Sequence, residues 1–381
     1  MIEVTDKSRC CGCSACAGVC PVQCITMAYD TEGFVYPDAD AQRCISCGRC
    51  EDVCPMKTSV QHFVKKAYAV RVHKYESESS SGGVFSALAE KVISGGGVIY
   101  GAAFDKELTL RHIRIADMAD LGLLRGSKYV QSYTEGIYQQ VQKDLSYGRK
   151  VLFSGTPCQV AGLRKFLNED YSELLTVDLA CHGVPSPKVW SRHINEKGKG
   201  LFGVNFRDKS SGWRKYNIAY SYRDRVERVR FDKDPYMQLF LQNVSIRPSC
   251  YDCAFRNGGN QSDMTLGDYW AISQTKSDLN DGRGVSVVIS NTRKGELLIN
   301  ELKATDCIVQ PVEYKEAVKV NGGFSASFAV PTGRDEFFKG LDAADDLHKY
   351  ISGFVRTKSF VRVAYERIHT ILAKIKRRIM S

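Results

Sequence analysis

Residues 10–21, CCGCSACAGVCP, and residues 44–55, CISCGRCEDVCP, contain the same arrangement of cysteines written twice. Each stretch has the spacing C-x2-C-x2-C-x3-C and places a proline directly after its last cysteine. Thiolates grouped so closely in a chain are the ligands that iron–sulfur clusters require. The two runs consist of Cys10, Cys13, Cys16 and Cys20, and of Cys44, Cys47, Cys50 and Cys54.

This spacing is typical of bacterial ferredoxins with two clusters, in which the fourth cysteine of each run binds the cluster of the other run. The sequence therefore predicts that the two runs exchange their last cysteines. Residues 1–62 are predicted to form an α+β ferredoxin-like module that transfers electrons. We expect one [4Fe-4S] cluster on Cys10, Cys13, Cys16 and Cys54, and a second on Cys44, Cys47, Cys50 and Cys20.

Two other cysteine chemistries fit the N-terminal region less well. Zinc sites use two C-x2-C pairs, which gives no reason for the third cysteine and the proline of each run. Disulfide frameworks belong to exported proteins, and the N-terminus MIEVTDKSRCC lacks the apolar region of a signal peptide. We therefore expect a cytoplasmic protein. Cys11 and Cys24 fall outside the repeated spacing and are predicted to be buried thiols without a ligand role.

The composition is that of a folded protein. Of 381 residues, 43% are hydrophobic and 10% aromatic, which supports packed cores in two or three domains of about 150 residues. The apolar, uncharged stretch at residues 92–104 contains three consecutive glycines and is too short to span a membrane. Anionic clusters partly offset the net charge of +10, so this charge does not indicate a nucleic-acid partner.

Residues 65–350 alternate between predicted strands and helices, which indicates an α/β domain. A helix is predicted at residues 134–145 from its apolar periodicity. Residues 98–104 and 108–115 are predicted to pair as a hairpin, and residues 150–153 and 174–179 end shortly before Cys158 and Cys181. The predicted strands are residues 67–72, 98–104, 108–115, 150–153 and 174–179.

A turn rich in serine and glycine precedes the first predicted helix of this domain. That helix is indicated by apolar residues at i, i+3, i+4 and i+7 from Phe85 to Val92. One interpretation is that the turn and the positive end of the helix bind a flavin or a cofactor phosphate. The other is a serine N-cap with flexible glycines, and the sequence leaves both open. The turn residues are Ser80, Ser81, Gly82 and Gly83.

Five cysteines lie in the α/β region. Cys158 and Cys181 each follow a predicted strand, at the sheet edge where open α/β sheets bind ligands. Cys250 and Cys253 form a C-x2-C pair. These four thiols allow a third metal cluster, a redox disulfide at the pair, or ordinary buried thiols, and the spacing alone does not decide. Cys307 is predicted to be a core residue of a strand.

Several segments, taken in order, resemble the family of the beta subunit of coenzyme F420-reducing hydrogenase and related dehydrogenases. The resemblance extends over about residues 68–290, and its most specific pieces are GTPCQ, CHGVPSP and the SC-x2-C segment. The matching segments are SSSGGVFSALAE, RGSKYVQS, VLFSGTPCQVAGL, VDLACHGVPSP, FRDKSSGW, RPSCYDCAF and SDMTLGDYW.

The resemblance implies a flavin-binding α/β domain that holds its own [4Fe-4S] cluster. The flavin is expected to be FAD or FMN, in contact with the serine–glycine turn and with Lys128. His182 is a candidate proton donor to the substrate or flavin, and its alternative role is to orient its loop through a hydrogen bond. By position, the ligands of the third cluster would be Cys158, Cys181, Cys250 and Cys253.

The resemblance predicts an iron–sulfur flavoprotein oxidoreductase that exchanges electrons with a partner protein or a reduced carrier. The organic substrate stays unidentified, because relatives use F420 or other carriers, reduce diverse organic molecules, or accompany surface-polysaccharide synthesis. The alternative is a non-catalytic electron-transfer subunit of a larger redox complex.

Residues 356–381 are predicted to form a basic amphipathic helix at the C-terminus. Ile368, Ile371, Leu372 and Ile375 share one face, and the segment carries eight basic residues and one glutamate. Such a helix can make peripheral contact with the anionic inner face of a membrane, or dock on the domain with its basic face in water. The sequence leaves both alternatives open.

Overall fold

The structure is a computed structural model that describes residues 1–57, 65–274, 279–303, 305–319, 321–324 and 327–355. The predicted C-terminal helix at residues 356–381 lies outside the described residues. Within the described ranges, no helix combines the length and the apolar character needed to cross a membrane.

Strands and helices alternate through most of the described chain. The strands are β1 (Ile25–Tyr29), β2 (Val35–Ala39), β3 (Lys66–Val72), β4 (Val98–Phe104), β5 (Leu110–Ile115), β6 (Val151–Gly155), β7 (Leu174–Leu179), β8 (Leu201–Asp208), β9 (Asn217–Tyr222), β10 (Val226–Arg230), β11 (Met264–Asp268), β12 (Ser286–Ser290) and β13 (Cys307–Val312). The α-helices are α1 (Ala15–Val19), α2 (Arg49–Asp52), α3 (Val84–Ser94), α4 (Leu121–Leu124), α5 (Ile137–Ser146), α6 (Pro157–Leu167), α7 (Pro187–Lys197), α8 (Pro235–Leu241), α9 (Arg293–Lys303), α10 (Tyr314–Lys319), α11 (Arg334–Leu341) and α12 (Leu347–Ser352).

An eight-stranded mixed sheet forms the centre of the protein, in the order β13-β3-β12-β11-β7-β6-β4-β5. Its four central strands, β11, β7, β6 and β4, are parallel to one another, and the outer strands are antiparallel. Because β6 and β7 are adjacent and parallel, the chain leaves both at the same edge of the sheet. Cys158 and Cys181 therefore emerge side by side.

Helices α3 and α9 cover one face of this sheet, with Leu88 and Ile299 packed on Ile99 and Val177. Helices α5 and α6 cover part of the other face. Residues of the N-terminal cysteine region, such as Ile25 and Val53, belong to the same hydrophobic core as these two helices. The N-terminal region is thus built into the main core.

A three-stranded antiparallel sheet, β10-β9-β8, forms a second layer together with α7, α8, α11 and α12. Its core includes Phe206, Tyr220, Phe240 and Phe337, and Phe34 of the β1–β2 hairpin reaches into it. The N-terminal region therefore contacts both layers of the protein.

Most element predictions for residues 65–180 are confirmed. Strands β4 and β7 have the predicted bounds, and β5 pairs with β4 as an antiparallel hairpin. Helix α5 begins at Ile137 rather than at residue 134, because Gly136 adopts a left-handed φ of 76° at its N-cap. Cys307 starts the predicted strand but is only half-buried, because β13 lies at the edge of the sheet. Its prediction as a core residue was wrong in that respect.

Gly162 of α6 lies at a close contact between the N-terminal cysteine loop and the α/β region. A Cβ atom at this position would lie 2.9 Å from Cys13 Sγ and 3.0 Å from the Tyr138 hydroxyl. We predict that Gly162→Ala lowers the free energy of unfolding by about 1–3 kcal/mol through overpacking, measured by denaturant unfolding under anaerobic conditions.

The matched control is Gly122→Ala in α4, where an added Cβ meets no atom within 4 Å among the described residues. This substitution is expected to leave stability unchanged or to raise it slightly, because alanine favours helix over glycine. Equal destabilisation by both substitutions would contradict the packing argument.

Candidate functional site

The first cysteine cluster, named the proximal site, consists of Cys10, Cys13, Cys16 and Cys54. These side chains line a cavity of about 640 Å³ formed by the first cysteine loop, α1 and the chain after α2. Ser14 and Gly48 take left-handed φ angles of 62° and 75°, which let the chain turn from each cysteine loop into its short helix. The structure thus places Cys54 beside the first three cysteines, as the crossed ligand pattern predicts.

The second cluster, named the distal site, consists of Cys20, Cys44, Cys47 and Cys50, which line a separate cavity. Backbone N–H groups donate to its sulfurs, from Ile2 to Cys50 Sγ at 3.3 Å and from Ser46 to Cys44 Sγ at 3.4 Å. Such donors stabilise the anionic sulfurs of a bound cluster.

Cys24 belongs to the lining of the distal site, which the sequence did not predict. Its sulfur lies 3.5 Å from Cys20 Sγ, and its backbone N–H donates to the same sulfur. Cys24 is buried as predicted. It is nevertheless a direct neighbour of a candidate ligand, because residues 20–24 turn back on themselves before β1.

The third cluster, named the third site, consists of Cys158, Cys181, Cys250 and Cys253, which line one cavity. Cys158 is the second residue of α6, whose N-terminus is fixed by a capping box between Thr156 and Gln159 and by Pro157. Cys181 follows β7. A short 3-10 helix, Pro248–Cys250, and a hydrogen bond from the Cys253 N–H to Ser327 Oγ position the remaining pair.

The chemistry of this donor set fits a metal cluster. Burial, followed by the neighbouring thiols Cys250, Cys158 and Cys253, raises the pKa of Cys181 well above its ordinary value. Burial raises the pKa of Cys250 to about 12. Four partly buried thiols gain little by facing one another unless a positively charged centre ionises them, and a [4Fe-4S] core supplies that charge.

The four thiols of the third site are not arranged as the ligands of a single metal ion. Among the residues that the structure describes, no group of three or more Cys, His, Asp or Glu side chains could hold one metal ion. In a cubane each thiolate binds a different iron atom, so its four sulfurs stand further apart than those around zinc.

Cys11 lies between the proximal and third sites. It is buried and lines the cavities of both. The thiol of Cys13 in the proximal site raises the pKa of Cys11 well above its ordinary value, and the thiol of Cys158 in the third site acts in the opposite direction. The sequence predicted a buried thiol, which is confirmed, but it gave no sign that this thiol links two sites, because the contact depends on how the loop packs on α6.

A cavity of about 420 Å³, larger than that of the third site and named the large cavity, adjoins the third site. It is bounded by residues 79–86, by residues 124–130 and by the carboxyl ends of β6, β7 and β11. Cys181 lines both this cavity and the third site. The cavity is the candidate cofactor site.

The predicted serine–glycine turn contributes only its serines to this cavity. Ser80 and Ser81 belong to the lining, and Gly82 and Gly83 do not. The glycines are required by packing: a Cβ at Gly82 would lie 2.3 Å from the Val70 carbonyl oxygen, and Gly83 has a left-handed φ of 83°. Of the four residues predicted to contact a cofactor, two line the cavity.

Helix α3 does not have the serine N-cap that the sequence allowed. Its N-cap is Gly83, and no side chain accepts a capping hydrogen bond there. The next three residues, Val84, Phe85 and Ser86, line the cavity. Within the described residues their N–H groups have no hydrogen-bond acceptor, which is the arrangement that binds an anion at a helix N-terminus.

Lys128 lines the cavity, but its ammonium group already has partners. Nζ donates to the carbonyl oxygens of Leu124, Arg125 and Gly126 at 3.1, 2.8 and 3.3 Å. Burial lowers the pKa of this amine to about 7. Its contribution to the site is therefore to fold the loop after α4, rather than to present a free cation.

His182 is held by neighbours on both sides. Its Nε2 lies 2.7 Å from Asn243 Oδ1, and its ring packs against Phe240 and Phe328. Burial lowers the pKa of the imidazole to about 4. A neutral ring with a fixed partner favours the orienting role over that of proton donor.

Two other residues that line the cavity, His112 and Arg207, are not indicated by any pattern in the sequence. His112 bridges Ser132 Oγ at 2.9 Å and the Ser154 carbonyl oxygen at 3.0 Å. Arg207 lies 3.1 Å from Asp268 Oδ2 and stacks over the Tyr216 ring at 4.0 Å. Both residues come from strands that run past the cavity, and only the position of those strands in the fold brings them there.

Two family models match parts of the chain. Residues 148–313 match the family model that describes the C terminus of the beta subunit of coenzyme F420 hydrogenase/dehydrogenase. This part of the chain is therefore similar to that beta-subunit family. Residues 9–58 match the 4Fe-4S dicluster domain. The predicted ferredoxin-like region is therefore confirmed, and the beta-subunit domain supplies the strands that carry the third site.

One solved structure that the chain matches is a chain of the F420-reducing [NiFe] hydrogenase complex from Methanosarcina barkeri, determined as a xenon derivative. The two chains share 17% sequence identity with a TM-score of 0.47, over 77% of this chain and 90% of the other. A comparison with curated proteins finds no match.

The third site makes a direct prediction about iron content. Cys158→Ala removes one of its four thiolates, and we expect the anaerobically purified protein to lose about four iron atoms per chain. Cys307→Ala is the matched control, because this thiol lies in β13 and lines none of the three sites. Unchanged iron in Cys158→Ala would show that the four thiols do not bind a cluster.

Proposed function

We propose that this chain is an iron–sulfur flavoprotein oxidoreductase that holds three [4Fe-4S] clusters and one flavin. The dicluster domain and the beta-subunit domain already identify an iron–sulfur electron-transfer protein of this oxidoreductase family. The third cluster, the flavin and the reaction with an organic substrate or carrier are the parts that we propose.

The observation that carries the proposal is that the four sites adjoin one another in a row. Helix α1 contains Cys16 of the proximal site and ends at Cys20 of the distal site. Cys11 lines both the proximal and third cavities, and Cys181 lines both the third and large cavities. Stepwise electron transfer requires carriers in such close succession.

The walls of the large cavity support a flavin as its ligand. Leu110, Leu124, Val130 and Leu266 provide apolar surface for a ring system. The open N–H groups at the start of α3 provide donors for a phosphate. Aromatic or apolar walls with a few convergent polar groups are usual for cofactor sites.

The residues around this cavity hold its shape. Ser80 Oγ accepts a hydrogen bond from the Ser127 N–H at 2.9 Å, which joins the turn before α3 to the loop after α4. The ammonium group of Lys128 holds the same loop through its hydrogen bonds to the carbonyl oxygens of residues 124–126. His182, Phe240 and Phe328 form a packed cluster beside Cys181 that keeps water away from the boundary with the third site.

When bound, a flavin supplies the conversion between two-electron chemistry of organic molecules and the one-electron chemistry of iron–sulfur clusters. The protein would position the flavin and the clusters, donate hydrogen bonds to the cysteine sulfurs and exclude water from the sites. The identity of the substrate is open in this proposal, and F420, another reduced carrier and a surface-polysaccharide precursor are all compatible with it.

The distal site is the proposed contact point for an electron-transfer partner. Cys47 is exposed, and the neighbouring Ile45 is 60% exposed. An apolar side chain next to a redox centre at the surface provides both a docking contact and a short path to the partner.

A non-catalytic electron-transfer subunit is the second candidate. It is favoured by the state of the titratable groups in the large cavity, since His112, His182 and Lys128 are all engaged in hydrogen bonds within the protein. In that case the cavity would hold a redox carrier without proton transfer to a substrate by these side chains.

Anaerobic purification with quantitation of iron, sulfide and flavin tests the proposal. We expect about twelve iron atoms and one flavin per chain, because three sites of four thiolates each bind one cubane. About eight iron atoms and no flavin would contradict the oxidoreductase proposal. Full cofactor content without turnover of any organic acceptor by the isolated chain would favour the electron-transfer subunit.

A further inference from the structure

Arg247 is a fully buried arginine at the boundary between the proximal and third sites. It is 0% exposed. It lies three residues before Cys250 and lines the third-site cavity. Its backbone N–H donates to the Val184 carbonyl oxygen, and its own carbonyl oxygen accepts from the Cys250 N–H, so its backbone is part of the third site.

The guanidinium group reaches from the third site into the proximal one. Nε donates to the Cys10 carbonyl oxygen at 2.8 Å, and Nη2 donates to the Val35 carbonyl oxygen at 2.9 Å and contacts Cys10 Sγ at 3.6 Å. Nη1 donates to Gln131 Oε1 at 3.1 Å. One side chain thus contacts the backbone and the sulfur of a candidate ligand.

The residues around the Arg247 guanidinium leave space for it. A Cβ at Gly12 would lie 2.7 Å from Nη1 of Arg247, and Gly12 has a left-handed φ of 68°. The Tyr36 ring stacks on the guanidinium at 4.3 Å. Gln131, which accepts from Arg247, also donates to the Cys11 carbonyl oxygen at 3.3 Å.

The charge of Arg247 has no carboxylate partner in the described part of the chain. Its ionisable neighbours include Cys10, Cys11, Cys158, Cys250 and Tyr36. A buried charge without a counter-charge is strongly destabilising. The anionic thiolates of bound clusters are the counter-charge that this environment offers.

We propose that Arg247 is the shared counter-ion of the proximal and third sites and that it raises the reduction potential of the cluster bound at the proximal site. The inference rests on the proposed function, since it requires clusters at both sites. Reduction adds one electron to an anionic centre, and a neighbouring positive charge and a hydrogen bond to sulfur both stabilise the product. In the test, dithionite supplies the electron, and no bond to the protein is made or broken.

The test is a redox titration of the anaerobically purified full chain, followed by electron paramagnetic resonance. In Arg247→Gln, at a fixed potential, we expect the ratio of reduced to oxidised proximal cluster to fall at least tenfold, which for one electron is a shift of 59 mV to more negative potential. The distal cluster is the internal reference, because Arg247 lines the third-site cavity but not the distal one. It is identified by the signal that changes in Cys47→Ser.

The matched control is the double substitution Glu32→Gln and Arg334→Gln. Arg334 is also a buried guanidinium that joins the N-terminal region to the α/β region, through Glu32 Oε1 at 2.8 Å and the Ile246 carbonyl oxygen at 3.2 Å. The double substitution removes this link without changing the net charge or a contact to sulfur. It is expected to leave the proximal potential unchanged, and a shift equal to that of Arg247→Gln would overturn the proposal.

A second measurement uses the unsubstituted protein, so it does not depend on the folding of a variant. The chain is produced with arginine labelled with 15N only in the guanidinium group, and the reduced proximal cluster is examined by pulsed electron paramagnetic resonance. A 15N coupling that disappears in Arg247→Lys is the expected result. A wild-type protein with full iron and no such coupling would overturn the proposal, whereas a wild type without iron would instead refute the proposed function.

Discussion

The packing of the first cysteine loop on helix α6 is the contact on which the arrangement of sites depends. Cys13 lies against Gly162, and the Cys13 carbonyl oxygen accepts a hydrogen bond from Thr134 Oγ1 at 2.9 Å. Because α6 also carries Cys158 in its first turn, this single contact places the proximal site directly beside the third site. Helix α6, which follows strand β6 directly, thereby couples the N-terminal region to the central sheet.

The fold explains why the remaining sites follow in order. Adjacent parallel strands bring Cys158 and Cys181 to one sheet edge, where α/β proteins commonly bind ligands. The same edge bounds the large cavity, so the third site has the N-terminal region on one side and the cavity on the other. Buried hydrogen bonds and aromatic packing, rather than exposed ion pairs, maintain these boundaries, and surface ion pairs contribute little by comparison.

The sequence was sufficient for the cysteine sites and for most of the elements that carry them. The doubled spacing predicted which eight cysteines would gather at the N-terminus, and strand ends predicted the positions of Cys158 and Cys181. It could not show that Cys11 bridges two sites or that Arg247 reaches Cys10, because both contacts join residues far apart in the chain. The sequence predicted the position of the turn before α3. It could not show that Gly82 is required there, because the side chain of any other residue would collide with the neighbouring strand β3.

The central claim is that three iron–sulfur clusters lie in a row that ends at the large cavity. Diffraction from anaerobically grown crystals at the iron absorption edge tests it most directly, because anomalous difference maps locate iron without assumptions about ligands. We expect three compact peaks of anomalous density, one within each set of four cysteines, with the peak of the proximal site between the other two. Two peaks confined to the N-terminal region, with none among Cys158, Cys181, Cys250 and Cys253, would contradict it.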